Sequence, residues 1–320
     1  MEKIGTALVT GAAGFVGQRV VADLCAAGWL VKAIVRGLPE RMRASDGAEW
    51  IPVGDLANVE PLQWVNLLAG VDVVVHLAGR AHIMADNASD PLAEYRRTNV
   101  TATVQLAEAA AKASVRKFIY MSSVKAVAER TAPDGIADDA STHPEDPYGL
   151  SKREAEVALL APGRFGGMAV TILRPPLVYG QGVRANFARL IDWVRRGVPL
   201  PLGAVVNKRS LIYVGNLSDA VRYCAMSDLL AGKACFVTDG EDVSTAELVR
   251  RIARILGKPI WLPPVPASLL QVVFLVLGRR NQADRLFGSL CLRMHHLPEA
   301  GWRPPFTMDQ GLRDTLRPIQ

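Results

Sequence analysis

The sequence has no paired cysteines, no bunched run of basic residues and no apolar run of bilayer length. Cys25, Cys224, Cys235 and Cys291 stand singly and far apart. That spacing argues against a disulfide framework and against the close pairs of a zinc site, so no metal is expected and a reducing cytoplasm fits. The 37 Lys and Arg outnumber 31 acidic residues, for a formal charge of +6, but they are scattered. A nucleic-acid partner would call for a continuous basic stripe with aromatic stacking residues, and none is expected here. The charge surplus fits an anionic small ligand, and plain solubility charge accounts for it equally well. The most apolar late segment, "ASLLQVVFLVLG" from Ala267 to Gly278, falls short of the roughly 20 residues that cross a bilayer. It reads as a buried or interfacial helix, without stable membrane insertion. The opening "MEKIGTALVTG" runs straight into a strand-like stretch without the basic and apolar regions of a signal peptide, so export is not expected.

Half of the 320 residues are hydrophobic and 21% are charged, the balance of a soluble globular protein with a sizeable core. Short apolar, β-branched runs alternate with helix-like segments: "TALVTG", "FVGQRVVADLCAAG", "LVKAIVR", "VDVVVHLAG", "TNVTATVQLAEAAAKA" and "KFIYMSS". This alternation predicts an α/β fold, a doubly wound parallel sheet with helices on both faces. A further strand is expected over "AVTILRPPLVYG", Ala169 to Gly180. Beyond it lie Pro- and Gly-rich connections and helices expected over Asn186–Arg196, Leu217–Met226 and Ser244–Leu256. The expected division is a Rossmann domain over 1–177, to which 211–237 return, and a smaller carboxy-terminal lobe from 178–210 and 238–320.

After the first strand comes "GAAGFVG", with Gly11, Gly14 and Gly17 three apart. Glycines between a strand and a helix allow a tight turn, close approach of backbone to a pyrophosphate, and close helix packing. A dinucleotide is therefore expected at this turn, along Gly11, Gly14, Phe15, Val16 and Gly17, although one extra residue separates the first two glycines relative to the commonest fingerprint. The second strand ends in Arg36, where a carboxylate would hold the adenosine ribose. An arginine there favours NADP(H), but it can also stack on adenine, so NAD(H) stays open. In "GDL", Asp55 and Leu56 stand at a strand end; Asp55 can accept from the adenine amino group or cap the next helical segment.

Two later stretches carry hydroxyl and amine groups: "YMSSVKAVAE", with Ser122 and Ser123, and "PYGLSK", with Tyr148 and Lys152 one helical turn apart. Taken in order, "TGAAGFVG", "GDL", "HLAG", "TNV", "SSVK", "PYGLSK", "RPPLVYGQG" and "RSLIYV" resemble an extended short-chain dehydrogenase/reductase of the NAD-dependent epimerase/dehydratase family. The resemblance runs nearly end to end. It implies that Tyr148 is the acid/base, that Lys152 lowers its pKa and holds the nicotinamide ribose, and that Ser123 hydrogen-bonds the substrate oxygen. The chemistry explains the residue types. Moving a hydride between an alcohol carbon and nicotinamide requires a group that takes or supplies the hydroxyl proton, and a phenol near pKa 10 needs help to serve as base. The resemblance also places Leu77, Ala78, Gly79, Asn99 and Pro175 beside the nicotinamide half. His76 reads as a satisfied core residue.

For the second lobe the resemblance implies a UDP-sugar, with Arg209 on the diphosphate. Asn186 and Phe187 would contact the diphosphate or uracil; an N-cap and a core aromatic are the alternative for that pair. Departures from the family pattern bear on the reaction. Val124 and Lys125 stand where dehydratases carry an Asp-Glu pair, and "SVKAVAE" lacks the Tyr and Gly usual in epimerases. The "SSVK" variant is most similar to reductases that convert a UDP-4-keto-6-deoxy-N-acetylhexosamine to a UDP-N-acetylquinovosamine-type product for bacterial surface polysaccharide such as O-antigen. A UDP-hexose or UDP-N-acetylhexosamine 4-epimerase that retains NAD is the rival, and a non-catalytic dinucleotide sensor of the same fold is the rival of another class. A homodimer formed through the helices around Tyr95–Lys112 and Tyr148–Leu160 is the family expectation.

Overall fold

The computed structural model describes residues 4–38, 47–80, 90–266, 268–270, 275 and 286–317. Its strands are β1 (Thr6–Thr10), β2 (Leu30–Val35), β3 (Ala48–Pro52), β4 (Val73–His76), β5 (Lys117–Met121), β6 (Ile136–Ala137), β7 (Ala169–Arg174), β8 (Leu177–Tyr179), β9 (Arg209–Tyr213), β10 (Ala234–Phe236), β11 (Asp242–Val243) and β12 (Leu292–Arg293). The helices are α1 (Phe15–Ala26), α2 (Pro61–Leu68), α3 (Pro91–Arg96), α4 (Ala102–Lys112), α5 (Pro147–Leu159), α6 (Ala185–Arg195), α7 (Val214–Met226), α8 (Thr245–Leu256), α9 (His296–Glu299) and α10 (Met308–Leu316). A π-helical turn, Arg97–Thr101, joins α3 to α4.

Seven strands form one parallel sheet in the order β10-β7-β5-β4-β1-β2-β3. Successive strand residues face opposite sides, so neighbours in sequence enter different cores. Ala7 and Val9 pack with Val20, Val21 and Leu24 of α1 and with Leu217 and Val221 of α7. Leu8, between them, packs with Leu68 of α2, Leu106 of α4 and Leu159 of α5. The doubly wound fold is thus observed, and β10 joins it from late in the chain. The order reverses between β1 and β4, which opens a crevice at the carboxyl ends of the strands, where ligands of such sheets bind.

The strand expected over Ala169–Gly180 is in fact two. Pro175 and Pro176 have no N–H to donate, so pairing with the large sheet stops at Arg174. The chain then enters β8, which pairs with β9 in a three-stranded sheet completed by β11. This small sheet shares an apolar core with α6, α8 and α10, built from Tyr179, Phe187, Ile191, Leu211, Val249, Ile252 and Leu312. Asp138 fastens the smaller elements to the large sheet: its carboxylate accepts from the backbone N–H groups of Phe236, His295 and His296. The apolar segment Ala267–Gly278 lies outside the described residues except for 268–270 and 275. No helix among the described residues is long and apolar enough to cross a membrane, and no described cluster of His, Cys, Asp or Glu has the makings of a metal site.

Candidate active site

The turn after β1 has the shape of an anion cradle. Gly11 has φ +67°, and a Cβ there would lie 2.8 Å from the backbone nitrogen of Ala78. A Cβ on Gly17 would collide with the carbonyl oxygen of Gly11, so α1 packs against the turn only with glycine at that position. Gly14 is the N-cap of α1 and supplies no side-chain cap, and the first turn holds no acidic residue, which leaves N–H donors for a phosphate. Phe15 and Val16 are half-buried, their side chains packed toward the second lobe. These residues fit a dinucleotide pyrophosphate.

Arg36 is exposed just beyond the end of β2. Asp55 accepts from Ala57 N at 3.1 Å through Oδ1, capping the short helical turn that begins at Leu56, and pairs with Arg97 at 2.9 Å through Oδ2. The cap reading of Asp55 is thus realised in the structure. Even partial burial works against its charge, but the Ala57 N–H and Arg97 hold its carboxyl below the usual range.

The ends of β1, β4, β5 and β7 are stitched side by side. Ala78 N donates to Thr10 Oγ1 (3.2 Å), Ser122 N to Leu173 O (2.8 Å) and Val124 N to Pro175 O (3.0 Å). This brings Leu77, Ala78, Gly79, Ser123 and Pro175 to one edge. Asn99, 1% exposed in the π-helical turn, accepts from Arg80 N (2.8 Å) and donates to Arg80 O (3.1 Å) and Ser151 Oγ (3.0 Å). It therefore fixes the chain after Gly79 against α5. Ser122 is structural, as its place at the strand end predicts: its hydroxyl is buried and donates to Glu156 at 2.5 Å. His76 is a core residue, with Nδ1 2.6 Å from Thr10 Oγ1 and Nε2 2.9 Å from Thr103 Oγ1.

Helix α5 begins "DPYGLSK", and its capping explains the placement of Tyr148. Asp146 is the N-cap, accepting from Gly149 N at 2.6 Å, and Pro147 occupies the first turn, where a missing N–H costs nothing. Tyr148 and Lys152 then share one helix face. Ser123 Oγ accepts from Lys125 N (3.2 Å), and the Ser123 side chain faces the Tyr148 phenol and favours its ionised form. Lys152, 4% exposed, donates to Met121 O at 2.8 Å, with its ammonium 4.7 Å from the Tyr120 ring centroid and 6.0 Å from that of Tyr148.

Burial governs the electrostatics of Tyr148 and Lys152. It pushes the Tyr148 phenol up to about 12; Ser123 opposes the rise, while the Asp146 carboxylate and Tyr95 add to it. Burial also pushes Lys152 down to about 8, against the pull of Glu156. Burial is the largest influence on the phenol in this structure. The arrangement holds a protonated phenol beside a hydroxyl donor, at an edge where a substrate oxygen can meet both.

Two expectations for the second lobe change. Phe187 is 3% exposed and stacks on Tyr179 (centroids 5.5 Å apart), because the apolar face of α6 buries Phe187, Leu190, Ile191 and Val194 together. It is a core aromatic and does not present its ring to a base. Asn186 is exposed in the first turn of α6, accepting from Arg189 at 2.6 Å; the N-cap is Arg184. Arg209 opens β9 and donates to Gly288 O at 3.0 Å. The sequence reading missed two pairings beside the site, Glu156 with Arg174 (2.7 Å) and Lys125 with Asp146 (2.5 Å). Asp146 before Pro147 is an N-cap signature visible in the sequence; its ionic partner is not.

The chain resembles known proteins along its whole length. It is 40% identical over 314 residues to a UDP-glucose 4-epimerase of Vibrio cholerae, covering 97% of this chain and 94% of that protein. Among solved structures, a UDP-N-acetylglucosamine 4-epimerase from Bacillus cereus superposes with a TM-score of 0.79 at 20% identity, covering 97% of this chain and 98% of the other. MoeE5 in complex with UDP-glucuronic acid and NAD superposes with a TM-score of 0.74 at 26% identity, covering 97% of each. The family described as NAD dependent epimerase/dehydratase matches residues 7–233. With the glycine cradle, the Ser123–Tyr148 pair and Lys152 all inside that span, the chain belongs to the NAD dependent epimerase/dehydratase family of enzymes.

Proposed function

We propose that this protein is a UDP-sugar 4-epimerase that binds NAD along the glycine turn and works through Ser123, Tyr148 and Lys152. The observation that carries the reading is Ser123 set against the Tyr148 phenol at the crevice edge, with Val124 and Lys125 where a dehydratase carries its Asp-Glu pair. Val124 is buried and the Lys125 ammonium is held by Asp146 and Glu129, so neither replaces the Asp-Glu pair with which a dehydratase expels water. The relatedness to UDP-sugar 4-epimerases supports this choice.

NAD, held along Gly11, Gly14 and Gly17, would supply reversible hydride exchange with carbon 4 of the sugar. Tyr148 takes the proton of the carbon-4 hydroxyl as the carbonyl forms and gives it back as the carbonyl collapses. Ser123 donates to the same oxygen and steadies its developing charge. Lys152, anchored on Met121 O, holds a positive charge beside the phenol. Gly11, Gly14 and Gly17 receive the pyrophosphate, and Asn99 keeps the 77–80 edge in place. On this reading Arg209 and Asn186 meet the UDP diphosphate, the lobes divide at residue 177, the return expected over 211–237 is made by α7 and β10 because Leu211–Tyr213 lie in β9 of the small sheet, and the protein is a homodimer acting in the cytoplasm.

A second reading is a reductase that consumes a UDP-4-keto-6-deoxy-N-acetylhexosamine. Arg36 favours it, because an exposed cation at the end of β2 suits the 2′-phosphate of NADPH, which exchanges between turnovers. One assay separates the two. Purified protein with NAD should interconvert UDP-GlcNAc and UDP-GalNAc, or UDP-glucose and UDP-galactose, with no net change in nicotinamide absorbance. Stoichiometric oxidation of NADPH by the keto sugar, without interconversion of either pair, would replace the epimerase with the reductase.

A further inference from the structure

Lys125 lies two residues beyond Ser123 and is tied to Ser123 and to the start of the helix that carries Tyr148 by three separate contacts. Its backbone N–H donates to Ser123 Oγ at 3.2 Å. Its carbonyl oxygen rests against Gly149, one residue after Tyr148, so closely that a Cβ at 149 would collide with it. Its ammonium binds Asp146 Oδ2 at 2.5 Å and Glu129 Oε1 at 2.7 Å in a partly buried cluster. Asp146 in turn uses Oδ1 to cap α5 through Gly149 N at 2.6 Å. One carboxylate therefore both fixes the helix turn that carries Tyr148 and places a negative charge two residues from the phenol.

An uncompensated carboxylate at that place opposes a phenolate at Tyr148, and the contribution of Asp146 to the raised phenol pKa has that sign. The other groups around the ring are Ser123 from the β5 edge, Lys152 from α5, and Tyr120 from β5. From α3 comes Tyr95, whose ring centroid lies 6.0 Å away and carries Arg80 over its face. Lys125 pairs directly with Asp146.

We propose that Lys125 is a positioning residue for Tyr148, holding the start of α5 against Ser123 while its ammonium neutralises Asp146. This rests on the acid–base role proposed for Tyr148, and it assigns a use to the position that a dehydratase would give to an acid. Loss of the ammonium should make the Tyr148 phenol harder to ionise, whereas loss of packing alone would leave its titration where it was.

The test needs neither sugar nor nicotinamide, so it stands apart from the outcome of the product assays. Tyr148 is replaced by 3,5-difluorotyrosine, whose more acidic phenol titrates in an accessible range, and its midpoint is followed by fluorine NMR in the whole protein. Lys125→Met should raise the midpoint by about one pH unit, the lower end of what a nearby charge does. Lys125→Arg should keep it near the parent value. Lys125→Met combined with Asp146→Asn should bring it back down, because asparagine still caps the helix without the charge. A midpoint unmoved in Lys125→Met, or one as high in the double variant as in the single, overturns the proposal. If Lys125→Met does not fold, Lys125→Gln takes its place: a raised midpoint supports the neutralisation and an unchanged one refutes it.

Discussion

At Tyr148 two demands compete. Burial keeps the phenol protonated, which suits a proton donor, while ionisation is needed when it acts as base. Ser123 and the local charges set how far the balance leans. Tyr148→Phe removes the transferable proton and leaves the ring, so turnover should fall roughly 10²–10⁴-fold, the usual contribution of a general acid–base group, while dinucleotide binding followed by calorimetry stays intact. Ser123→Ala should cost less, since Tyr148 still transfers the proton. A larger loss from Ser123 than from Tyr148 would reverse the assigned roles. Tyr148, Lys152 and Ser123 stood out in the sequence through the ordered motifs that carry the family resemblance, since the spacing of tyrosine and lysine is modest evidence by itself. The Lys125–Asp146 pair did not, since 21 residues separate its members and only the fold brings them together.

Between elements, His76 joins β4 to β1 and α4, and its hydrogen bonds specify one neutral tautomer. Thr103 gives its own proton to Asn99 O at 2.8 Å, so it accepts from Nε2–H, and Thr10 donates to Nδ1. Burial, with Lys152 nearby, pushes this imidazole down to about 3. The unfolded chain, with an ordinary histidine near 6.5, therefore binds more protons than the native state between about 3 and 6.5. Stability contributed by His76 is present above 6.5 and is lost as pH falls through that window, by up to about 2–3 kcal/mol at pH 4.5. Urea unfolding of wild type and His76→Asn at pH 7 and pH 4.5 checks this: the gap between the two should narrow at the lower pH, and a constant gap would contradict it. The core role of this histidine was readable from its place at the end of a wholly apolar strand. The break at Pro175–Pro176 was harder to read, because apolar residues continue on both sides and the sequence does not say which sheet receives β8. Phe187 was ambiguous for the same reason: a helix-start aromatic looks alike whether it faces a base or a core, and only Tyr179 stacked on it decides.

For the whole molecule, the parallel sheet gathers the glycine turn, the 77–80 edge, Ser123 and Pro175 at one side of the sheet, and α5 lays Tyr148 and Lys152 across that side. Most of this was visible in the alternation of apolar strands and helices, since a buried parallel sheet leaves a strong imprint on sequence. What the second lobe holds left a weaker imprint, because Asn186 and Arg209 answer to chain packing as much as to any ligand. The central claim is reversible hydride transfer at carbon 4 of a UDP-sugar, and an isotope at that carbon tests it most directly. UDP-glucose or UDP-GlcNAc carrying deuterium at carbon 4 should yield the carbon-4 epimer with the deuterium still on carbon 4 and no net reduced nicotinamide. No epimer at all, or an epimer whose carbon-4 deuterium has washed out into water, would contradict the account.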